Sequence, residues 1–323
     1  MSLSPRIPEG LRALPRTPLV GAPTPVERLP RFEAAIGSPY PIFIKRDDAI
    51  PFGFGGNKVR KLEVVMAEAR AAGATTVITC GGVQSNHCRA TAAAAVRAGI
   101  ACHLVLSGAE PATLSGNTRL DDLFGATLHF VSGRLDRAPR MTALEEEIAA
   151  SGGKAFLIPL GASTSMGAVG LALGLFELLD QGARPDVIVH ASSSGGTQAG
   201  LVAGATLAGF DARIIGVSAD ETAEALGGIV RELGNGVLRL AGSEAPLARV
   251  EVRDGFIGEG YGIPTDASRE AQRLLARSEA IVVDHTYTAK ALAGLIAFVR
   301  AKEAPSGASI LFWHTGGQVG VLA

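Results

Sequence analysis

Apolar positions along the chain alternate between two rhythms. Short continuous runs rich in Val, Ile and Leu end in a glycine or a charge. Longer stretches follow in which apolar residues recur every three or four positions. The runs "PIFIKRDD" (41–48), "TTVITCGG" (75–82), "IACHLVLSG" (100–108), "TLHFVS" (127–132), "KAFLIPLG" (154–161), "PDVIVHASSSGG" (185–196), "ARIIGVSAD" (212–220) and "ASILFWHTGG" (308–317) read as strands. Between them, helical spacing runs over 58–73, 85–99, 116–125, 140–153, 165–182, 197–209 and 222–234, often to a terminal glycine. Near the end, "AIVVDHTYTAKALAGLIAFVR" (280–300) reads as an apolar run passing into a helix, with Tyr287 at the junction. Strands that are apolar throughout, each followed by a helix, imply parallel sheets covered on both faces. The pattern restarts after a glycine-rich bend near residue 161, so two such sheets are expected, with ligands at the strand C-terminal ends.

Composition narrows the classes. The chain has 323 residues, 47% hydrophobic and 19% charged, which describes a well-buried protein rather than a disordered one. A formal net charge of -1, with Lys and Arg scattered, gives no footprint for nucleic acid or an anionic membrane. The N-terminal stretch (1–30) is rich in proline and arginine and lacks an apolar core, so it reads as an extended arm rather than a secretory signal. Cys80, Cys88 and Cys102 match no zinc spacing; buried thiols and cytoplasmic residence are the expectation.

The chemistry gathers in four loops: "GFGGNK" (53–58), "GGVQSNH" (81–87), "SSSGGTQAG" (192–200) and "HTGGQ" (314–318). Each follows an expected strand and precedes an expected helix, and each has a polar tip. One such loop serves geometry alone; four argue for a single cleft receiving a polar ligand. "SSSGGTQAG" suits an anion, because glycine lets a phosphate approach the free N–H groups of a helix start. It lacks the Lys-Ser/Thr ending of a P-loop and departs from G-x-G-x-x-G, so a small phosphorylated cofactor fits better than a nucleotide. Lys58, behind the glycines of "FGFGGNKVRKLE", is either a solvated helix residue or an amine that bonds pyridoxal phosphate, the glycines then making room for the cofactor aldehyde.

Together "KRDD…GFGGNKVRKLE", "GGVQSNHCRATAA", "SSSGGTQAGL", "GYGIP", "DHTYTAKALAGL" and "HTGG" run in order across nearly the whole chain. They resemble the 1-aminocyclopropane-1-carboxylate (ACC) deaminase and D-cysteine desulfhydrase family of pyridoxal-phosphate enzymes. The resemblance implies an α/β fold of two open, mostly parallel twisted sheets flanked by helices, the fold type II of the tryptophan synthase β subunit. It implies a large domain from 1–61 and 169–323, a small inserted domain at 62–168, and a homodimer. Lys58 would bond the cofactor and move the substrate α-proton. Lys61 would reach the phosphate, beside a loop of Gly195, Gly196, Thr197, Gln198 and Ala199. Asn57 would join the cofactor-binding set, and Asn86 would bind the ring hydroxyl. Ser85 would face the substrate carboxylate with the amides of 86 and 87, His87 being either a substrate contact or a loop-fixing residue. Tyr261 and Tyr287 would flank the substrate.

Two positions separate the branches. Where the deaminases carry Glu and Leu, this chain has Thr288 and Thr315, placed by the resemblance near the cofactor ring. Hydroxyls deepen an electron sink less than a carboxylate, which favours β-elimination from D-cysteine, giving pyruvate, ammonia and hydrogen sulfide, over cyclopropane opening. His285, Thr286 and the segment "GASTSMGAVG" depart from the family pattern and leave L-cysteate, with sulfite leaving, as an alternative. A catalytically silent ligand-binding protein on the same fold is the non-enzyme alternative. No metal ligation is expected from the six histidines. His103 and His129 read as structural, and Arg46 with Asp47 as a scaffold ion pair.

Overall fold

The computed structural model describes residues 6–323; residues 1–5 of the expected N-terminal arm lie outside the described residues. Among the described residues ten strands form two sheets: β1 (Val26–Arg28), β2 (Ile42–Arg46), β3 (Thr76–Gly82), β4 (Ala101–Ser107), β5 (Thr127–Val131), β6 (Ala155–Leu157), β7 (Val187–Ser192), β8 (Arg213–Ser218), β9 (Glu251–Arg253) and β10 (Ile310–His314). The helices are α1 (Glu9–Arg12), α2 (Pro30–Ile36), α3 (Asn57–Ala71), α4 (Asn86–Ala98), α5 (Gly116–Leu123), α6 (Arg137–Ala150), α7 (Ser165–Asp180), α8 (Gly196–Ala208), α9 (Ala223–Leu240), α10 (Asp266–Glu279) and α11 (Thr288–Arg300). The larger sheet has the order β1-β2-β10-β7-β8-β9, and the smaller β5-β4-β3-β6. Every pairing is parallel except β1 with β2.

Both sheets are covered on two faces, as strands without polar alternation require. On the larger sheet, residues of α2, α10 and α11 pack against Ile42, Ile44, Val189 and Phe312. Leu171, Leu175 and Leu201 of α7 and α8 pack with Ile188, Leu311 and Trp313 from the other side. On the smaller sheet, residues of α3 and α4 pack with Leu104 and Leu106, and those of α6 pack with Ile78 and Val105. The smaller sheet draws its strands from residues 76–157 and the larger from the flanking segments.

Several expectations are corrected. Residues 281–284 join no sheet, although Ile281 and Val283 are buried. The loop at 314–318 leads into a short 3₁₀ turn, Gln318–Leu322, not an α-helix. The arm is anchored rather than merely draped: the Leu19 and Val20 amides donate to Glu63 Oε1 at 2.8 and 2.9 Å, and Leu11 is fully buried. Arg46 pairs with Asp48 and Glu27, whereas Asp47 pairs with Arg60. That exchange follows from the chain turning into a 3₁₀ helix at Asp47, which ends the strand alternation. Among the described residues no helix is long and apolar enough to cross a membrane.

Candidate active site

Strand ends from both sheets open onto one cavity of about 360 Å³, within the range of small-molecule sites. All four polar-tipped loops reach its wall: Asn57 and Lys58; Gly81, Gly82 and Ser85–His87; Ser192–Gly195 with Thr197; and Thr315 with Gly316. Tyr261 and Tyr287 complete it from the C-terminal part of the chain.

Lys58 is the second residue of α3. Among the described residues its amine has a single hydrogen-bond partner, Asn57 Oδ1 at 3.3 Å. Burial, aided by the Arg89 guanidinium and opposed by Asp284, brings its pKa down to about 8. At neutral pH such an amine is free base on the order of a hundredfold more often than an exposed lysine. The glycines before it serve another purpose than the one expected. A Cβ on Gly55 would fall 2.5 Å from the Asp48 carbonyl, and one on Gly56 3.0 Å from the Thr315 carbonyl. They therefore let the loop cross its neighbours, with φ of 70° and 99°, rather than clearing space for a ligand. The Asn57 amide closes that crossing on Thr315 O at 3.0 Å.

One end of the cavity is an anion seat. Gly195 caps α8 with φ 79°; the Gly196 amide donates to Ser194 O at 3.0 Å, while the Thr197 and Gln198 amides have no partner among the described residues. Lys61, one turn beyond Lys58, reaches the same place: its amine donates to Gly161 O and Ser163 Oγ, each at 3.1 Å. A Cβ on Gly196 would come within 2.9 Å of it. Asn57 Nδ2 donates to Thr197 Oγ1 at 2.7 Å and ties this end to the Lys58 helix. Lys61 is fully buried yet forms no ion pair among the described residues, and burial, then Lys58, holds its pKa well below the usual lysine range.

A second helix start, that of α4, lines the same cavity as Lys58. Ser85 caps α4, its Oγ accepting the Cys88 amide at 3.2 Å, which leaves the Asn86 and His87 amides free. Asn117 Nδ2 donates to Asn86 Oδ1 at 3.0 Å, so the Asn86 amide nitrogen is the group left for a ligand. The Tyr261 and Tyr287 hydroxyls share a short hydrogen bond, with Tyr287 pushed well above the usual phenol range by burial and by Tyr261.

Some expected members are not brought in. Gln198 turns its side chain away, donating to Glu251 O at 2.6 Å across the edge of the sheet. The Ala199 amide is spent on Gly195 O at 2.9 Å, the first full turn of α8, and its methyl is in the core. Thr288 does not line the cavity; its hydroxyl and amide are both taken by Asp284 Oδ1. The His87 ring abuts the cavity but is held by Thr79 Oγ1 at 2.8 Å, and burial first, with the nearby lysines, keeps it neutral. Sequence reasoning missed Asp284, whose carboxylate accepts the amides of Thr286, Tyr287 and Thr288 and so aims Tyr287. It also missed Ser163, Arg134 and Arg137. The acid ahead of a helix start in "DHTYT" was a legible capping signal; the others had none, since they meet the site only through the fold.

The chain matches the family model described as "Pyridoxal-phosphate dependent enzyme" over residues 18–316. It is 38% identical over 323 residues to D-cysteine desulfhydrase of Salmonella choleraesuis (strain SC-B67), covering 97% of each chain, and equally so to that of Salmonella typhi. Among solved structures it resembles an ACC deaminase homologue with a TM-score of 0.90 at 34% identity, over 97% of this chain and 95% of that one. Threonine deaminase isoform 2 of Solanum lycopersicum shares the fold at a TM-score of 0.68 and 18% identity, over 95% and 82% of the two chains.

The cofactor of that family is an aldehyde on an aromatic ring with a phosphate at its far end. A fully buried amine without a carboxylate, its charged form disfavoured by burial, is set against the unpartnered Thr197 and Gln198 amides at the start of α8; a phosphate there would supply the anion that favours its protonated form. A second amine, able to lose its proton near pH 8, stands within the same cavity for the aldehyde. Match and fit agree: the chain belongs to the pyridoxal-phosphate dependent enzymes, in their fold type II architecture.

Proposed function

We propose that the enzyme is a carbon–sulfur lyase that converts D-cysteine and water to pyruvate, ammonia and hydrogen sulfide. The observation that carries this reading is Lys58, an amine of lowered pKa standing in one cavity with the phosphate seat and the tyrosine pair. Similarity to the D-cysteine desulfhydrases supports the choice of substrate. Pyridoxal phosphate, when bound, supplies a sink for the electron pair left at Cα. Gly195, Gly196 and Thr197 with Lys61 hold its phosphate, while Asn57, Asn86 and Thr315 orient its ring. The Asn86 and His87 amides and the Ser85 hydroxyl receive the substrate carboxylate. Lys58 takes the Cα proton. The Cβ–S bond then breaks with its electrons passing to sulfur, and a tyrosine hydroxyl of the 261–287 pair, kept protonated by burial, stands ready to donate to it. Water finally replaces nitrogen at the former Cα.

Purified protein assayed with D-cysteine, L-cysteine, L-cysteate and ACC, following 2-oxo acid, tests the reading. Sulfide and pyruvate from D-cysteine are the expected products. Lys58→Ala is expected to lose turnover by at least about a thousandfold, together with the absorbance of the amine-bound cofactor. Retained turnover refutes the assignment. The same reading holds a homodimer working in the cytoplasm, and a small domain at 62–168; light scattering and limited proteolysis check the dimer and the division.

A further inference from the structure

We infer that Lys290 is a positioning residue for the tyrosine pair: its ammonium gathers backbone carbonyls from the end of β8 and from the loop that carries Tyr261, and so holds the Tyr261 hydroxyl against that of Tyr287. What the pair does once held rests on the proposed lyase reading.

Lys290 is only 1% exposed, yet it does not line the cavity. Its hydrogen bonds all go to backbone oxygens: Ile257 O at 2.7 Å, Gly260 O at 2.8 Å and Ala219 O at 3.5 Å. An ammonium has three donors and no acceptor, so this set occupies each of them. Asp220 and Asp284 stand near enough to favour its charge, but neither is bonded to it. Asp220 pairs with Arg134 at 3.6 Å, and Asp284 accepts the amides of Thr286, Tyr287 and Thr288. The charge also stands in the first turn of α11, where the helix dipole opposes a cation. An apolar side chain of similar length would fill the same space without the cost of burying a charge. The carbonyls it gathers are therefore what the charge serves.

Two of those carbonyls belong to a segment with little order of its own. Residues 254–265, between β9 and α10, form turns but neither helix nor strand. Tyr261 sits between Gly260 and Gly262, whose φ are 146° and 78°, and a Cβ on either would meet nothing within 4 Å. The local chain thus leaves Tyr261 free to swing. The Gly260 carbonyl shares a planar peptide unit with the Tyr261 nitrogen, so a bond to it fixes the plane from which the ring hangs. Lys290 itself lies three residues after Tyr287, in the same turn of α11. One side chain thereby ties the backbones of both tyrosines, whose rings meet edge to face at 5.6 Å and whose hydroxyls are hydrogen-bonded. Arg134 also lies over the Tyr261 ring, 5.1 Å from the centroid, but a contact with the ring does not fix the loop beneath it.

Lys290→Met keeps the apolar stem and removes the donors. It is expected to lower kcat for D-cysteine about tenfold or more. KM should change little, because the carboxylate seat at the start of α4 shares no hydrogen bond with Lys290. Tyr261→Phe is expected to lower kcat in its own right, and Lys290→Met added to it should cost little more, since one acts through the other. Additive losses overturn the inference, as does full activity of Lys290→Met beside an impaired Tyr261→Phe. A second readout needs no turnover. The chain has three tyrosines, so holoenzyme labelled with fluorotyrosine gives three magnetic-resonance signals. Lys290→Met is expected to shift those of Tyr261 and Tyr287 and to spare that of Tyr40, whose hydroxyl donates to Ala304 O. Unmoved signals from the pair overturn the inference whatever the substrate. Should Lys290→Met fail to fold, Lys290→Gln, a shorter neutral chain, is held to the same outcomes. Absence of sulfide from D-cysteine with the wild-type enzyme removes the lyase reading, while the fluorotyrosine signals still decide the role of Lys290.

Discussion

Lys58 shows what enclosure does to an amine at a helix start. Burial, the Arg89 charge and the positive end of α3 all disfavour its protonated form, and only Asp284 opposes them. Deprotonated amine attacks an aldehyde, so bonding of pyridoxal phosphate to apoprotein is expected to accelerate about tenfold per pH unit up to about 8 and then level off. Stopped-flow absorbance checks this; a rate still climbing beyond pH 10 would show an ordinary lysine. At Tyr287, removing the hydroxyl while keeping the ring should separate chemistry from packing. Tyr287→Phe is expected to lower kcat about 10- to 100-fold with little change in the thermal midpoint. An unchanged kcat would leave the tyrosine pair as wall only. The glycine loops around Lys58 and Ser85 were legible from their residue types, and the family resemblance named Ser85 and the two tyrosines; all of these residues line the one cavity. Arg137 and Ser163 were not, since each sits in a stretch with no motif and reaches the cavity only when distant strands pair.

At the scale of elements, the site depends on how closely α3, α7 and α8 approach. Gly170 of α7 would place a Cβ 2.1 Å from the Arg60 carbonyl of α3, and Gly200 of α8 one 2.2 Å from the Ala168 carbonyl of α7. Those near contacts bring Lys58, Lys61 and the start of α8 into one cavity. Alanine at 200 would gain about 1 kcal/mol in helix propensity, yet the clash with backbone cannot relax cheaply. Gly200→Ala is therefore expected to destabilise the fold by about 1–3 kcal/mol and to weaken cofactor retention; chemical denaturation and dialysis measure both. A stabilised variant would mean that the helices slide freely. The alternating strand–helix order was readable because continuous apolar strands leave little ambiguity. The antiparallel edge strand β1 and the three-residue β9 were not, being too short for a periodic signal. The helix α10 did carry its signal, a Thr265 cap before an amphipathic stretch, and it was passed over. Residues 281–284 have the composition of a strand but cannot pair with β10, which β2 and β7 already flank.

Across the whole molecule, one buried ion network joins the larger sheet to the helices behind the site. Asp47, at the end of β2, accepts Arg60 of α3 at 2.8 Å and the Trp313 indole of β10 at 2.8 Å. Glu177 of α7 accepts Arg60 at 2.9 Å and Lys45 of β2 at 2.5 Å. Burial alone would raise the Glu177 pKa, but hydrogen bonds and charge from Arg60 and Lys45 outweigh it and bring the pKa down to about 2. A carboxylate depressed in the folded state stabilises fully above its unfolded value, 4.5, and that stability is lost as pH falls towards 2. Urea midpoints are thus expected to decline steadily from pH 4.5 to 2. Glu177→Gln removes the titrating charge and leaves Lys45 and part of Arg60 buried without it. It should cost about 3–5 kcal/mol at pH 7 and flatten the acid slope, bringing variant and wild type together near pH 2. A Glu177→Gln protein as stable as the wild type at pH 7, with an unchanged acid slope, would show that the network contributes nothing to holding α3, and hence Lys58, against the sheet.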